Sequence, residues 1–134
     1  MKREFKKEIA SLDSVFTFLG EAMDGMSVSA EGVYAINLAV EEFFTNMVKY
    51  GKGSQSDIAV SVEREGARLV VRLIDRGVDP FDPTSTGDVD TSIPLEQRNV
   101  GGLGIHLARN MLDDIRYSYA DRASTITIIK NLEQ

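Results

Sequence analysis

Cysteine is absent from the chain, and histidine occurs only once. The first absence excludes disulfides, thiolate catalysis and cysteine metal sites. The second leaves little material for a histidine metal site or a Ser-His-Asp triad, and we interpret His106 as a structural or surface residue. No apolar run approaches the ~18 residues that a membrane span needs. Residues 1–8 carry charges where a signal peptide needs an apolar region, so the sequence predicts a cytoplasmic protein.

The charge balance is acidic, with 15 Lys and Arg against 21 Asp and Glu and a net charge of −6. This balance argues against nucleic acid as a partner, because such domains normally present a basic face. It also argues against anionic membrane surfaces. Backbone amides and a divalent metal would still allow a polyanion such as ATP to bind. The length of 134 residues predicts a single domain over 1–134.

Hydrophobic periodicity predicts the element order β-α-α-β-β-loop-α-β-β. A short strand over 3–9, with Phe5 and Ile9 facing inward, precedes a helix that Ser11 would cap and that would end near Met26. The other predicted elements are a helix capped by Ser27 or Ser29 and ending at Tyr50, strands over 57–63 and 68–74, a helix over 105–112, and strands over 115–119 and 125–129. Because hairpins connect the strands, we expect an α+β fold, a two-layer α/β sandwich in which a mixed, mostly antiparallel sheet carries the helices on one face.

The second half of the long helix carries a polar column beside its apolar stripe. Glu42 and Asn46 lie four residues apart, so their side chains are one turn from each other, and Lys49 continues the same face. An amide oxygen suits Mg²⁺ when phosphates and water supply its other ligands. A carboxylate one turn away could accept a proton from a hydroxyl. The same column is also compatible with an ordinary solvated helix face.

Two glycine motifs stand at the ends of predicted elements. Asp75-x-Gly77 follows a strand, where the carboxylate could accept a hydrogen bond from an exocyclic amine and the glycine would let a flat ring approach, although Asp-x-Gly is also common in turns. Gly101-Gly102-Leu103-Gly104 opens a helix and would expose backbone N–H groups to an anion. Between them, the polar segment 84–99 is long for a loop inside a domain, and such loops are often lids.

Together the motifs resemble the three nucleotide-binding boxes of the Bergerat-fold (GHKL) ATPases, the superfamily of gyrase, histidine kinases and anti-sigma-factor serine kinases. Glu42-x-x-x-Asn46 resembles the N box, Asp75-x-Gly77 the first glycine box, and residues 101–105 the second. The Pro-Phe-Asp-Pro sequence at 80–83 and the length are similar to the anti-sigma regulatory factor branch, a family of serine/threonine protein kinases. The resemblance covers nearly the whole chain.

The resemblance implies a role for each matching residue. Asn46 would bind Mg²⁺, Glu42 would be the catalytic base that activates a protein serine, and Asp75 would bind the adenine amine. The other residues it places at ATP are Lys49 and Tyr50 on the helix, Gly77 against the ring, Phe81, the phosphate-cradling Gly101, Gly102, Leu103 and Gly104, and Thr127, which would reach the adenine side through water. Residues 84–100 would be the ATP lid.

The resemblance also implies partners, and the sequence leaves alternative functions open. A kinase of this branch would phosphorylate an anti-sigma-factor antagonist and bind a sigma factor or similar regulator. The first helix and edge strand are the predicted surface for a homodimer or partner. Tyr50 replaces the branch's usual histidine, and Ser124 stands where asparagine is frequent. The alternatives are a nucleotide-gated binding module without phosphoryl transfer and a domain that has lost nucleotide binding.

Overall fold

Regular elements follow the predicted order in the computed structural model, which describes residues 1–50, 56–79 and 108–132. They are strand β1 (Lys2–Phe5), a short 3-10 turn (Ile9–Ser11), helices α1 (Leu12–Met23) and α2 (Ala30–Tyr50), and strands β2 (Ile58–Glu65), β3 (Arg68–Arg76), β4 (Asp114–Ala120) and β5 (Ala123–Asn131). Residues 108–111, inside the predicted helix over 105–112, are helical. Neither α1 nor α2 has the length and apolar content needed to cross a membrane.

The strands form one open sheet in the order β1-β2-β3-β5-β4. The expectation was a mixed, mostly antiparallel sheet, and each of the four pairings within the described strands is antiparallel. β3 and β5, which β4 separates in the sequence, lie side by side in the sheet and run in opposite directions. The predicted α+β class with two layers is confirmed.

One face of the sheet packs against α1 and α2 to form the core. Strand alternation sends every second side chain to this face. Its fully buried strand residues are Ile58, Val60, Val62, Leu69, Val71, Leu73, Ile126 and Ile128. Each such side chain contributes about 1.5–3 kcal/mol through burial. The helices supply the opposite layer, in which Phe43 and Phe44 of α2 are also fully buried.

The N-terminal segment differs from its prediction in three places. Ile9 is 45% exposed, because β1 ends at Phe5 and the chain then turns into the 3-10 helix. Ser11 does not cap α1, since its backbone is already helical and its hydroxyl donates to the Lys6 carbonyl (2.8 Å). α1 ends at Met23, before Gly25, which takes a left-handed φ of +83°. Phe18 of α1, a core residue that the sequence did not predict, is buried and packs edge-on against Phe5 with ring centroids 5.7 Å apart.

The start of α2 agrees with its prediction. The Ser29 hydroxyl accepts a hydrogen bond from the Gly32 amide (3.0 Å), which satisfies one of the free N–H groups of the first helical turn. The helix then continues to Tyr50, the predicted end. This long helix, which Ser29 caps at its start, holds the polar column over the sheet.

Candidate functional site

The polar column of α2 combines a buried amide with a partly buried acid. Asn46 is only 3% exposed, while Glu42 lies one turn earlier at the edge of the buried face. Burial raises the pKa of Glu42 from 4.5 to about 7; the charge of Glu41 adds to the rise, and Lys49 lowers it. A carboxylate with a pKa near neutrality can exchange a proton at physiological pH, as a general base must.

Asp75 lies one residue before the end of β3 and is 1% exposed. Its carboxylate forms a buried ion pair with Lys7, whose Nζ is 3.1 Å from Oδ1 and 3.0 Å from Oδ2. Burial raises the pKa of Asp75, and the hydrogen bond and charge of Lys7 offset part of the rise. Lys7 is not among the predicted site residues, because no local sequence pattern connects residue 7 with residue 75.

A row of cross-strand neighbours places Asp75 among mostly uncharged groups. Antiparallel pairing sets Phe5, Ile58, Asp75, Ser124 and Tyr119 side by side on the helix-facing side of the sheet. Directly opposite residues of such a pair have Cβ atoms about 5 Å apart. The Ser124 hydroxyl is buried and finds no hydrogen-bond partner among the described residues. A buried unpaired hydroxyl beside a carboxylate is suited to a ligand or an ordered water.

Hydrogen bonds join Gly77 to the β4–β5 hairpin. Its N–H and that of Val78 donate to the Arg122 carbonyl (2.7 and 3.0 Å), while the Arg122 guanidinium donates to the Gly77 carbonyl (3.1 Å) and pairs with Asp79 (3.2 Å). Tyr119 donates to the Val78 carbonyl (2.8 Å). These contacts fix the backbone immediately after Asp75.

The attachment depends on the backbone geometry of two turns. Gly77 has φ +71°, in the left-handed region that glycine adopts without strain. Asp121 and Arg122 have φ +52° and +58°, as the favoured two-residue hairpin turn requires. The Ala-Asp-Arg-Ala sequence at 120–123, a short Asp-containing turn between two strands, is a signal for this geometry.

Thr127 lies on the face of the sheet opposite to Asp75. It pairs with Arg72, three residues before Asp75 along β3, so its side chain points to the opposite face of the sheet. Ser124 occupies the place beside Asp75 instead. Lys49 and Tyr50 are exposed in the last turn of α2. The other predicted site residues, Phe81, Gly101, Gly102, Leu103 and Gly104, and the predicted lid lie outside the described residues, as does His106.

Residues 5–130 match the family described as the histidine kinase-like ATPase domain. Among similar proteins is serine-protein kinase RsbW of Listeria monocytogenes serovar 1/2a, 30% identical over 104 residues, covering 73% of this chain and 66% of that protein. Serine-protein kinase RsbW of Bacillus cereus strain AH820 is 27% identical over 114 residues, covering 81% of this chain and 70% of that protein. The chain therefore spans about two thirds of the length of these relatives.

Two solved structures share the fold. The structure of the RsbU and RsbW domains of Rv1364c from Mycobacterium tuberculosis superposes with a TM-score of 0.69 at 17% identity, covering 98% of this chain and 32% of that one. The histidine kinase AdeS of Acinetobacter baumannii gives a TM-score of 0.59 at 15% identity, covering 100% of this chain and 68% of that one. At these identities the two structures support the fold alone.

Proposed function

Because the chain belongs to the histidine kinase-like ATPase domain family, we propose that it is a serine/threonine protein kinase that binds ATP with Mg²⁺ and transfers the γ-phosphoryl group to a serine of a partner protein. The observation that carries this proposal is Glu42, whose pKa is raised to about 7 one turn from the buried Asn46. The serine-protein kinases among its relatives support the same activity.

The end of β3 fits the base of the nucleotide. The Asp75 carboxylate would accept a hydrogen bond from the adenine amine, and the Gly77 backbone would leave space for the ring. We assign the water-mediated contact proposed for Thr127 to Ser124 instead, because Ser124 lies opposite Asp75 and its buried hydroxyl is unpaired among the described residues. A nucleotide with its ordered water would satisfy this hydroxyl.

The phosphates of the nucleotide would lie against α2 and the glycine motif. Asn46 would offer its amide oxygen to Mg²⁺, a hard cation that prefers oxygen ligands. Phosphate oxygens and water would supply the other ligands of the ion. When bound, the ion would neutralise charge on the transferred group. Lys49 and Tyr50, in the last turn of the helix, would lie toward the phosphates. Gly101, Gly102, Leu103 and Gly104 would cradle them, with Phe81 and residues 84–100 closing over the nucleotide.

Glu42 would act as the base in the transfer. The partner's serine Oγ forms a bond to the γ-phosphorus, the bond from that phosphorus to the bridging oxygen breaks, and ADP leaves. The serine proton passes to the Glu42 carboxylate. A pKa near neutrality leaves a large fraction of this carboxylate ionised at physiological pH while keeping it basic enough to accept the proton.

The partners are proposed from the resemblance and from the kind of relatives found. The substrate would be a serine on an anti-sigma-factor antagonist, and a sigma factor or similar regulator would be the second partner. The protein would act in the cytoplasm. β1, at one edge of the sheet, and α1, which contacts β1 and β2, remain the proposed surface for a homodimer or partner. The competing function is a nucleotide-gated binding module, in which ATP selects partners without phosphoryl transfer.

Phosphoryl transfer from radiolabelled Mg-ATP to candidate antagonist proteins tests the proposal. Glu42→Gln should lower the transfer rate at least about 100-fold, since general-base catalysis contributes this much. Its dissociation constant for ATP should stay within about twofold, because binding does not use the base. Glu41→Gln, which changes the exposed neighbouring carboxylate, is the matched control and should retain transfer near pH 8.

Each alternative has its own result. Transfer that persists unchanged in Glu42→Gln would disprove the base assignment. Tight ATP binding with no transfer to any antagonist in the wild type would favour the binding module. A melting temperature that ignores Mg-ATP would favour a domain without nucleotide binding, because a ligand at 100 times its Kd stabilises a fold by about 2.7 kcal/mol.

A further inference from the structure

The Lys7–Asp75 ion pair needs an explanation beyond stability. The two side chains are 4% and 2% exposed, so both charges have lost nearly all contact with water. Removing two charges from water offsets most of their mutual attraction, and hydrophobic residues of similar volume often stabilise a fold equally well. A pair of this kind at the strand end proposed for base recognition therefore points to a role in that site.

The turn that carries Lys7 is held rigidly. The Lys6 carbonyl accepts two hydrogen bonds, from the Glu8 amide and the Ser11 hydroxyl (both 2.8 Å). On the other side, Phe5 is anchored in the core by its contact with Phe18. The fold therefore delivers the ammonium to Asp75 from a preorganised backbone, which fits a permanent part of the site.

The ion pair leaves acceptor capacity on Asp75. An ionised carboxylate has about four lone-pair sites on its two oxygens, and one ammonium in contact with both does not fill them. The neighbour on β5 is Ser124, whose hydroxyl is unpaired among the described residues. The remaining lone pairs and this hydroxyl together offer a polar edge to a flat heterocycle.

We propose that Lys7 is a positioning residue for base recognition: its ammonium keeps the buried Asp75 carboxylate ionised and oriented, so that its oxygens accept a hydrogen bond from the exocyclic amine of the nucleotide base. This inference rests on the proposed nucleotide site. Lys7 itself need not touch the nucleotide, and it acts through Asp75.

The two protonation states of Asp75 select different bases. The ionised carboxylate only accepts hydrogen bonds, so it favours an amine and opposes a carbonyl oxygen at the same place on the ring. A neutral carboxylic acid carries an O–H and can donate to that carbonyl. Without Lys7, burial would favour the neutral acid. Lys7 is therefore expected to set the preference for adenine over a base with an oxygen in place of the amine.

The charged groups around Asp75 support this assignment to Lys7. Lys7, in the turn after β1, contacts the Asp75 carboxylate. The residues that pair with Asp75 on the neighbouring strands, Ile58 of β2 and Ser124 of β5, are uncharged. The acid of the polar column on α2 is Glu42, whose pKa responds to Glu41 and Lys49. Among the described residues, Lys7 is the charged group whose hydrogen bond and charge act on Asp75.

The test compares equilibrium binding of Mg-ATP and Mg-ITP from about pH 6.5 to 8.5, because inosine carries an oxygen where adenine carries its amine. In the wild type the preference for ATP should stay nearly constant. In Lys7→Met the preference should fall about tenfold at the low end and recover as pH rises and Asp75 ionises unaided. Lys7→Arg, which restores the positive charge, should recover the wild-type preference.

Lys6→Met is the matched control, since Lys6 is exposed in the same turn, and it should behave as the wild type. If Lys7→Met does not fold, Lys7→Gln replaces it and should show the same loss of preference, because the amide brings no charge. An unchanged preference in the neutral variants, or tighter ATP binding by them at every pH, would overturn the inference alone. A wild type that binds neither nucleotide would overturn the proposed function as well.

Discussion

Glu42 on α2 and Asp75 at the end of β3 are two acids in very different surroundings. Burial is the first cause of the raised pKa of both groups. Asp75 has a cation in direct contact with its carboxylate, whereas Glu42 makes no ion pair with any of the described residues and feels Glu41 and Lys49 only through their charge. Burial alone therefore does not decide the role of a carboxylate. A cation in contact with it, as at Asp75, favours a permanently ionised hydrogen-bond acceptor, whereas a carboxylate without one, as at Glu42, can take up a proton.

The elements that carry Asp75 and Glu42 also differ in how firmly they hold the two side chains. Asp75 belongs to the central strand of the sheet, and the backbone after it is bonded to the β4–β5 hairpin through Gly77 and Arg122. Glu42 projects from a helix at the margin of the buried face. A rigid setting suits the recognition of a flat base, while a partly open one suits contact with a protein substrate.

Lys7→Met should give the largest change in stability, because it leaves the Asp75 carboxylate buried without its partner. We expect the free energy of unfolding to fall by about 3 kcal/mol near pH 8. The loss should shrink toward acidic pH, since the neutral acid costs less to bury and the raised folded-state pKa lets the folded protein keep the proton. Urea denaturation across pH measures the effect.

Lys49→Met, near Glu42, is the counterpart of Lys7→Met near Asp75. Lys49→Met removes an exposed lysine that acts on Glu42 without contact, and we expect a change below about 0.5 kcal/mol. Equal losses in the two variants would show that the Lys7–Asp75 contact has no special weight in the fold.

Glu42→Gln should instead stabilise the protein above neutral pH. The pKa of Glu42 is about 7 in the folded state against an ordinary value of 4.5, so the folded state binds the proton more tightly and stability falls as pH rises through this window. The amide has no charge to desolvate. We expect a gain on the order of 1 kcal/mol near pH 8, after allowing for screening by solvent, and none near pH 4. A variant whose stability parallels the wild type at every pH would contradict the shifted pKa.

Periodicity and turn chemistry predicted the elements well because those signals are local. The stripe through Val40, Phe43 and Met47 fixed the buried face of α2, and Ser29 marked its start. Ser11 shows the limit of such signals. Its residue type suits a cap, yet its hydroxyl bonds back to Lys6 once the 3-10 turn precedes the helix.

The composition of the site depends on long-range register, which no local signal carries. Thr127 and Ser124 both lie on a strand near the chain end, but they are three residues apart and so point to opposite faces of the sheet. The contact from Lys7 to Asp75 likewise spans 68 positions in sequence. Motif spacing could suggest Asp75, whereas Ser124 follows from the pairing of β3 with β5, and Lys7 from the place of the turn after β1.

Ser124→Ala and Thr127→Ala sharpen the description of the Asp75 side. Ser124→Ala removes a buried hydroxyl that is unpaired among the described residues, so stability should be unchanged or slightly higher, while ATP affinity should fall about fivefold because the bridging water loses its anchor. Thr127→Ala should leave ATP affinity unchanged, because its side chain faces away from Asp75. Isothermal titration of both variants decides between them, and a loss confined to Thr127→Ala would restore the sequence-based assignment.

The smallest expected effects concern the charges that tune Glu42. Glu41 raises the pKa of Glu42 and Lys49 lowers it, so Glu41→Gln should move the acidic limb of the transfer rate to lower pH and Lys49→Met should move it to higher pH. Each shift should be a few tenths of a pH unit, because both neighbours are exposed and water screens their charges. The profile is measured as kcat at saturating ATP, so that any role of Lys49 in holding the phosphates changes KM instead. Opposite shifts would identify Glu42 as the titrating base, whereas shifts in the same direction would assign the acidic limb to another group.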